Sequence, residues 1–118
     1  MYTASFIWEP GIYDHEFNAL NAEIEALVST IPGYLGVEVW QTEDGKRHNA
    51  TYYWDNMESL KILATHPQHL EAKRKYAQWY KGYQVVLAQV FKSYGDGNMT
   101  HITADLKPAV VTSSNTDH

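Results

Sequence analysis

Two hydrophobic periods alternate along the chain, and their order limits the folds available to it more than any other feature. Four segments show the alternating or β-branched pattern of strands, namely residues 2–8, 34–41, 47–54 and 83–94. Between them, residues 14–31 and 55–80 repeat apolar side chains at intervals of three and four, the period of an amphipathic helix. The sequence therefore predicts the order strand, helix, strand, strand, helix, strand.

Helix caps and a turn divide these segments. Asp14 precedes the first helical segment, and Asp55 with Glu58 three residues later forms a capping box before the second. Asp44-Gly45 lies between the second and third strands, where an Asp-Gly pair predicts a tight hairpin. These signals place the two middle strands side by side in one sheet.

The stretch Thr65-His66-Pro67-Gln68 interrupts the second helical segment. Thr65 and Gln68 match a further capping box, and Pro67 fits the first turn of a helix, where its missing N–H costs nothing. We therefore expect the helix to bend or restart here and to continue to about Tyr80. Its predicted inner face carries His69, Ala72, Tyr76 and Trp79 or Tyr80.

The order βαββαβ predicts an α+β, ferredoxin-like fold, a four-stranded antiparallel sheet with two helices on one face. Two helices cover only one face of the sheet, while residues 83–94 carry large apolar side chains on both faces. We therefore expect a homodimer joined through the uncovered sheet face. Residues 96–118 form a polar tail, which we expect to pack on the dimer partner.

Composition excludes several classes of protein. The 118 residues suffice for one domain, and 14 acidic against 9 basic residues give a net charge of −5, which argues against partners such as nucleic acid or an anionic membrane. The basic run Lys73-Arg74-Lys75 is interpreted as a solvated helix face. Because there is no cysteine, no signal-peptide pattern and no apolar stretch of about 20 residues, we expect a cytoplasmic protein without a membrane span.

The chain also resembles a known family. The shared features are Phe6 with Glu9-Pro10, Ile31-Pro32-Gly33-Tyr34, Tyr53-Trp54-Asp55 and His66-Pro67-Gln68-His69. Through them, residues 1–95 are similar to the antibiotic biosynthesis monooxygenase domain of the dimeric α+β barrel superfamily. The resemblance implies a dimer and, as in the family's oxygenases, oxidation of phenols or quinols by O₂ with no metal or flavin cofactor.

Superfamily members with other activities differ from this chain at two places. Haem degraders carry a Trp and an Asn where this chain has Leu63 and Ile7, which disfavours haem degradation. The polyketide cyclase of the superfamily pairs a Tyr at the place of Leu63 with the histidine that corresponds to His69. This chain thus has the histidine of these relatives, as His69, but carries the apolar Leu63 where they have Trp or Tyr.

His69 is the predicted catalytic residue, a general base with an ordinary pKa near 6.5. The alternative is a local hydrogen bond through which its ring fixes the bend. Substrate-binding residues are predicted among the side chains suited to a pocket for a flat aromatic ligand. They are Trp8, Tyr53, Leu63, Tyr76 and Trp79, with Tyr80 beside them. No metal site is predicted, because no carboxylate is in phase with His66 and His69.

These features together predict a cofactor-independent monooxygenase that oxidises a small aromatic quinol or phenol with O₂. Two alternatives stay open. One is a non-catalytic dimeric module that binds a small molecule, and the other is a polyketide cyclase-like enzyme with His69 as its base. No serine nucleophile motif or phosphate-binding loop indicates another chemistry.

Overall fold

The structure is a computed structural model that describes residues 1–104, apart from the side chain of Gln68. Its seven elements are β1 (Tyr2–Pro10), α1 (His15–Val28), β2 (Tyr34–Gln41), β3 (His48–Trp54), α2 (Met57–Thr65), α3 (Pro67–Trp79) and β4 (Tyr80–Gln89). The predicted α+β, ferredoxin-like order is confirmed, with the second helical segment divided into α2 and α3. Within the described residues, no helix has the length and apolar character needed to cross a membrane.

The four strands form one antiparallel sheet in the order β2-β3-β1-β4. β1 lies inside this sheet, where Phe6 is opposite Ala50 of β3 and Val85 of β4. Because side chains alternate along a strand, Ala4 and Tyr52 lie on the helix side and pack on the core. The core lies between α1, α2 and β3 and consists of Val28, Ile31, Trp54, Leu60 and Leu63.

The first helix begins as predicted and ends early. Asp14 is its cap, and the carboxylate Oδ1 accepts a hydrogen bond from the Phe17 N–H at 2.8 Å. The helix ends at Val28, short of the predicted residue 31. A proline disfavours helical backbone in the residue before it, so Pro32 shortens the helix from the C-terminal side.

The predicted cap of the second helix is off by one residue. Asn56, not Asp55, is the N-cap of α2, and its side-chain oxygen accepts from the Ser59 N–H at 2.8 Å. The Asp55 N–H instead donates to the carbonyl of Gly33 at 2.7 Å, which fixes the end of β3 beside the end of α1. That long-range contact decides which of two adjacent capping residues is used.

The predicted restart of the helix is confirmed, with its boundary one residue later than expected. Thr65 is the last residue of α2, and its hydroxyl donates to the Lys61 carbonyl at 2.9 Å rather than capping α3. His66 has extended backbone and lies between the two helices. Its carbonyl accepts the first helical hydrogen bond from the Leu70 N–H at 3.0 Å, and Pro67 is the first residue of α3.

The last strand runs from Tyr80 to Gln89 rather than over residues 83–94, and residues 90–104 form neither helix nor strand. We call the sheet face opposite the helices the outer face; it carries Thr3, Ser5, Ile7, Glu38, Trp40, Tyr53 and Val86. His101 returns to this face of its own chain, with Nε2 3.2 Å from Glu38 Oε1. Packing of the tail 96–118 on a dimer partner stays a prediction, and residues 105–118 lie outside the described residues.

Candidate functional site

A cavity of about 500 Å³ lies between the sheet and the helices. Strand alternation points large side chains of β1 and β4 toward this space, and α1 and α3 supply further rings from above. Aromatic rings that line it include Phe6, Trp8, Tyr13, Phe17, Tyr76 and Tyr80. The walls are therefore flat and largely apolar, which suits a planar ligand.

Phe6 is the centre of the aromatic wall. Its ring centroid lies 5.2 Å from Trp8, 5.3 Å from Tyr76, 5.4 Å from Tyr80 and 5.8 Å from Tyr83. These separations fall in the range of favourable aromatic pairs, so each ring restricts the orientation of the next. The wall is held in shape by contacts among its own members.

Tyr13 lies where the cavity meets the chain surface. The Trp8 Nε1–H donates to the Tyr13 hydroxyl at 2.9 Å, and the Tyr13 ring stacks on Phe17 with centroids 4.1 Å apart. Tyr13 is 39% exposed, although it lines the cavity. The loop that connects β1 to α1 therefore supplies one side of the cavity mouth.

His69 lines this cavity from the first turn of α3. Its ring is half-buried, and Nδ1 is buried without a hydrogen-bond partner among the described residues. Burial is the largest influence on the pKa of His69 and lowers it. A hydrogen-bonding contact with the Ala64 backbone, the local contact that the alternative role of His69 predicts, acts against this lowering, and the charge of Lys73 adds to it. The imidazole is therefore neutral at neutral pH and retains a lone pair that can accept a proton.

Three tyrosines of the cavity stay protonated. Burial raises the pKa of Tyr52 to about 12 and that of Tyr76 to about 12. Burial also raises the pKa of Tyr80. Each phenol is therefore a hydrogen-bond donor at neutral pH, whereas none of them is a base.

Most predicted site residues converge on this cavity. His69, Trp8, Leu63, Tyr76 and Trp79 all line it, as does Tyr80. Leu63 is buried in the core cluster and gives the cavity an apolar wall.

Tyr53, one of the predicted substrate-binding residues, does not line the cavity. Its hydroxyl donates to Glu38 Oε1 at 3.0 Å on the outer face, where its ring also contacts His101. Neighbouring residues of a strand point to opposite faces, so Tyr52, not Tyr53, lines the cavity.

Trp79 has a structural task in addition to lining the cavity. Its indole Nε1–H donates to Asp14 Oδ1 at 3.1 Å, and its carbonyl accepts from the Gly11 N–H at 2.7 Å. A Cβ on Gly11 would lie 2.7 Å from that carbonyl oxygen, so the close approach needs glycine. Trp79 thereby ties the end of α3 to the loop that carries Tyr13.

The predicted site residues did not include the cavity rings Phe6, Tyr13 and Phe17. The one local signal is the Asp14 cap, which places Phe17 in the first turn of α1 on the side of Trp79, at a ring distance of 5.2 Å. Within residues 1–104, no group of three or more His, Cys, Asp or Glu side chains is placed to hold a metal ion.

No family model matches the chain. The uncharacterised protein YqjZ of Bacillus subtilis is 36% identical over 66 residues, which are 55% of this chain and 57% of that protein. The match thus spans little more than half of the curated relative.

Solved structures extend the likeness to most of the chain. SnoaB, a cofactor-independent oxygenase from Streptomyces nogalater, has a TM-score of 0.63 at 13% identity over 78% of this chain and 94% of its own. Rv0793 from Mycobacterium tuberculosis has a TM-score of 0.65 at 10% identity, over 80% of this chain and 98% of its own. A candidate antibiotic biosynthesis monooxygenase from Nitrosomonas europaea has a TM-score of 0.61 at 14% identity, over 78% of this chain and 100% of its own. The chain therefore has the ferredoxin-like α+β fold that proteins of antibiotic biosynthesis monooxygenase type also have.

Proposed function

We propose that the protein is a cofactor-independent monooxygenase that oxidises a small aromatic quinol or phenol with O₂. The observation that carries the proposal is His69, a neutral half-buried imidazole in the wall of an aromatic cavity of about 500 Å³. The likeness in fold to a cofactor-independent oxygenase supports the same class of reaction. We include in the proposal a cytoplasmic homodimer joined through the outer face.

In this mechanism His69 accepts the phenolic proton of a substrate stacked between the aromatic walls. The phenolate gives one electron to O₂, and the phenoxyl and superoxide radicals combine to form a C–O–O bond. Loss of the proton on that carbon and cleavage of the O–O bond leave a quinone carbonyl, and the second oxygen atom leaves as water. Proton removal from the phenol is therefore the step that the protein must promote. The rings around Phe6 orient the substrate and exclude water from it. The protonated phenols of Tyr76 and Tyr80 supply donors for substrate oxygens.

The proposal is tested by oxygen uptake with protein that has been treated with a chelator and checked for metal content. Anthrones, naphthols and quinols of increasing size form the substrate panel. We expect protein-dependent uptake, and a fall of about 100-fold or more in His69→Gln, the loss typical of removing a general base. His15→Gln, which alters an exposed histidine outside the cavity, is the matched control and should keep full activity. Equal uptake by His69→Gln and the control would remove His69 from the reaction.

Leu63 favours a second candidate. The cavity wall near α2 is apolar there and offers no partner for the imidazole in acid–base chemistry. This favours a module that binds an aromatic molecule without converting it. Binding measured by calorimetry without turnover in air would support that candidate, whereas turnover that persists without O₂ would indicate a cyclase-like reaction with His69 as base.

A further inference from the structure

The basic run Lys73-Arg74-Lys75 is not uniform in the structure. Arg74 binds Glu71 with NH2–carboxylate distances of 2.6 and 2.7 Å. Lys75 pairs with Glu16, and it lies 3.4 Å from Glu71. Lys73 has no carboxylate partner among residues 1–104. One cation of the run is therefore left to attract an anion from outside the chain.

A second cavity, of about 360 Å³, adjoins the aromatic one at the junction of α3 and β4. Four residues line both cavities, namely Lys73, Tyr76, Tyr80 and Tyr83. The second is also lined by Arg74 and Lys81, whereas no described carboxylate lines it.

Lys81, like Lys73, has no carboxylate partner in the described part of the chain. The chain as a whole carries a net charge of −5, so two unpaired lysines beside one cavity are a local reversal of its charge. Positive charge that lines a concave site raises the local concentration of anions. The second cavity is therefore suited to an anionic group.

Helix geometry places this positive charge beside the proposed base. His69, Lys73 and Tyr76 follow one another at intervals of four and three residues, so they share one side of α3. Lys73 is close enough to His69 for its charge to lower the pKa of that imidazole. An anion bound at Lys73 would therefore lie next to the part of the aromatic cavity that His69 lines.

We propose that the ligand of this site is an aromatic compound with an anionic substituent, whose ring occupies the aromatic cavity and whose anion is bound by Lys73 and Lys81. The inference rests on the proposed function in that it takes the aromatic cavity as the ligand site. It goes further by naming charge as the feature by which ligands are selected. Tyr76 and Tyr83, whose rings lie 5.1 Å apart, form the border between the two parts.

The test compares two matched probes, 1-hydroxy-2-naphthoate and 1-naphthol, which differ by one carboxylate. Binding is measured by calorimetry without O₂, so the result does not depend on turnover. We expect the naphthoate to bind about fivefold more tightly at low salt, the scale of exposed ion pairs, and the preference to disappear at high salt. Lys73→Gln/Lys81→Gln should bind both probes with equal affinity.

Lys61→Gln is the control, because it removes an exposed lysine of α2 that lines neither cavity. The inference is overturned if the two probes bind equally to the unaltered protein, if neither binds, or if the double variant keeps the preference. A charge preference without any oxygen uptake would uphold the binding site while removing the oxygenase. Oxygen uptake with uncharged substrates but not with charged ones would uphold the oxygenase and overturn the anion site.

Discussion

At the scale of single residues, two side chains set the cavity apart from the rest of the protein. His69 Nδ1 and Trp54 Nε1 are the buried side-chain atoms without a hydrogen-bond partner among the described residues, and both residues line the cavity. Buried polar groups in proteins nearly always have a partner, because an unpaired one costs about 1–3 kcal/mol. Both atoms are shielded from solvent, so each is a local cost to stability that the fold tolerates beside the cavity.

The environment of His69 predicts how stability depends on pH. Burial lowers its pKa in the folded state below the ordinary 6.5, so the unfolded chain takes up a proton before the folded one does. His69 therefore contributes stability above pH 6.5 that is lost as the pH falls from 6.5 through the folded pKa. We expect the unfolding free energy of the unaltered protein minus that of His69→Gln to fall between pH 7.5 and 5.5 in urea titrations.

His15→Gln serves as the control for this pH experiment, since it removes an exposed imidazole. The difference in unfolding free energy between His15→Gln and the unaltered protein should stay constant over the same pH range. If the unfolding free energy of the unaltered protein minus that of His69→Gln stays constant, or rises as the pH falls, the lowered pKa is contradicted, and with it the neutral base of the proposed mechanism.

The choice between Tyr52 and Tyr53 shows what residue-level prediction requires. Both are aromatic and adjacent in β3, so composition does not distinguish them. Their pairing with β1 does, because Tyr52 lies opposite Ala4 on the helix side and Tyr53 opposite Thr3 on the outer face. A shift of one residue in register would exchange the two. The sequence predicted an aromatic site but could not determine the register.

At the scale of elements, the turn between α1 and β2 depends on Gly33. Its φ of 92° is unfavourable for residues with a side chain, and a Cβ there would meet the Ser59 hydroxyl oxygen. Ser59 is held in place by the Asn56 cap of α2 and by its hydrogen bond to the Pro32 carbonyl. The turn is therefore fixed from both sides by contacts between distant parts of the chain.

We expect Gly33→Ala to lower the free energy of unfolding by about 3 kcal/mol, from backbone strain and steric overlap together. Gly45→Ala is the matched control, since its φ is also positive, at 72°, but no atom lies within 4 Å of a Cβ built there. Gly45→Ala should lower the free energy of unfolding by only about 1 kcal/mol, because it introduces backbone strain without a steric overlap. Equal losses in chemical denaturation would show that the contact with Ser59 contributes nothing.

Element types were easier to predict than element ends. Asp14 caps α1 as predicted because its hydrogen bond to Phe17 is local in sequence. Asp55 and Asn56 are both capping residues, and the choice between them depends on the contact of Asp55 with Gly33, which is distant in sequence. For the same reason Tyr13, placed at the cavity by contacts with Trp8 and Phe17, was absent from the predicted site.

At the scale of the whole molecule, the outer face remains the predicted dimer interface. Trp40 is 63% exposed and Val86 44% exposed on this face, from strands at opposite edges of the sheet. Burial of such side chains in a second copy would stabilise a symmetric dimer. We expect sedimentation at twice the 13.5 kDa of one chain, and a monomer for Trp40→Glu/Val86→Glu.

Leu70→Glu is the control for the dimer experiment, because Leu70 is 49% exposed on α3 rather than on the sheet. It should leave the dimer intact. A dimer that survives charges at Trp40 and Val86 would place the interface elsewhere, and an unaltered protein that sediments as a monomer would remove the prediction altogether.

The interior position of β1 has a consequence for how the protein is made. Its neighbours are β3, which ends at Trp54, and β4, which ends at Gln89. During synthesis β1 therefore emerges before both of its neighbours, and Phe6 and Trp8 lack the partner strand β4 until it has been made. We expect the nascent chain to complete its sheet only once β4 has left the ribosome, with this aromatic strand as the segment most in need of a chaperone until then.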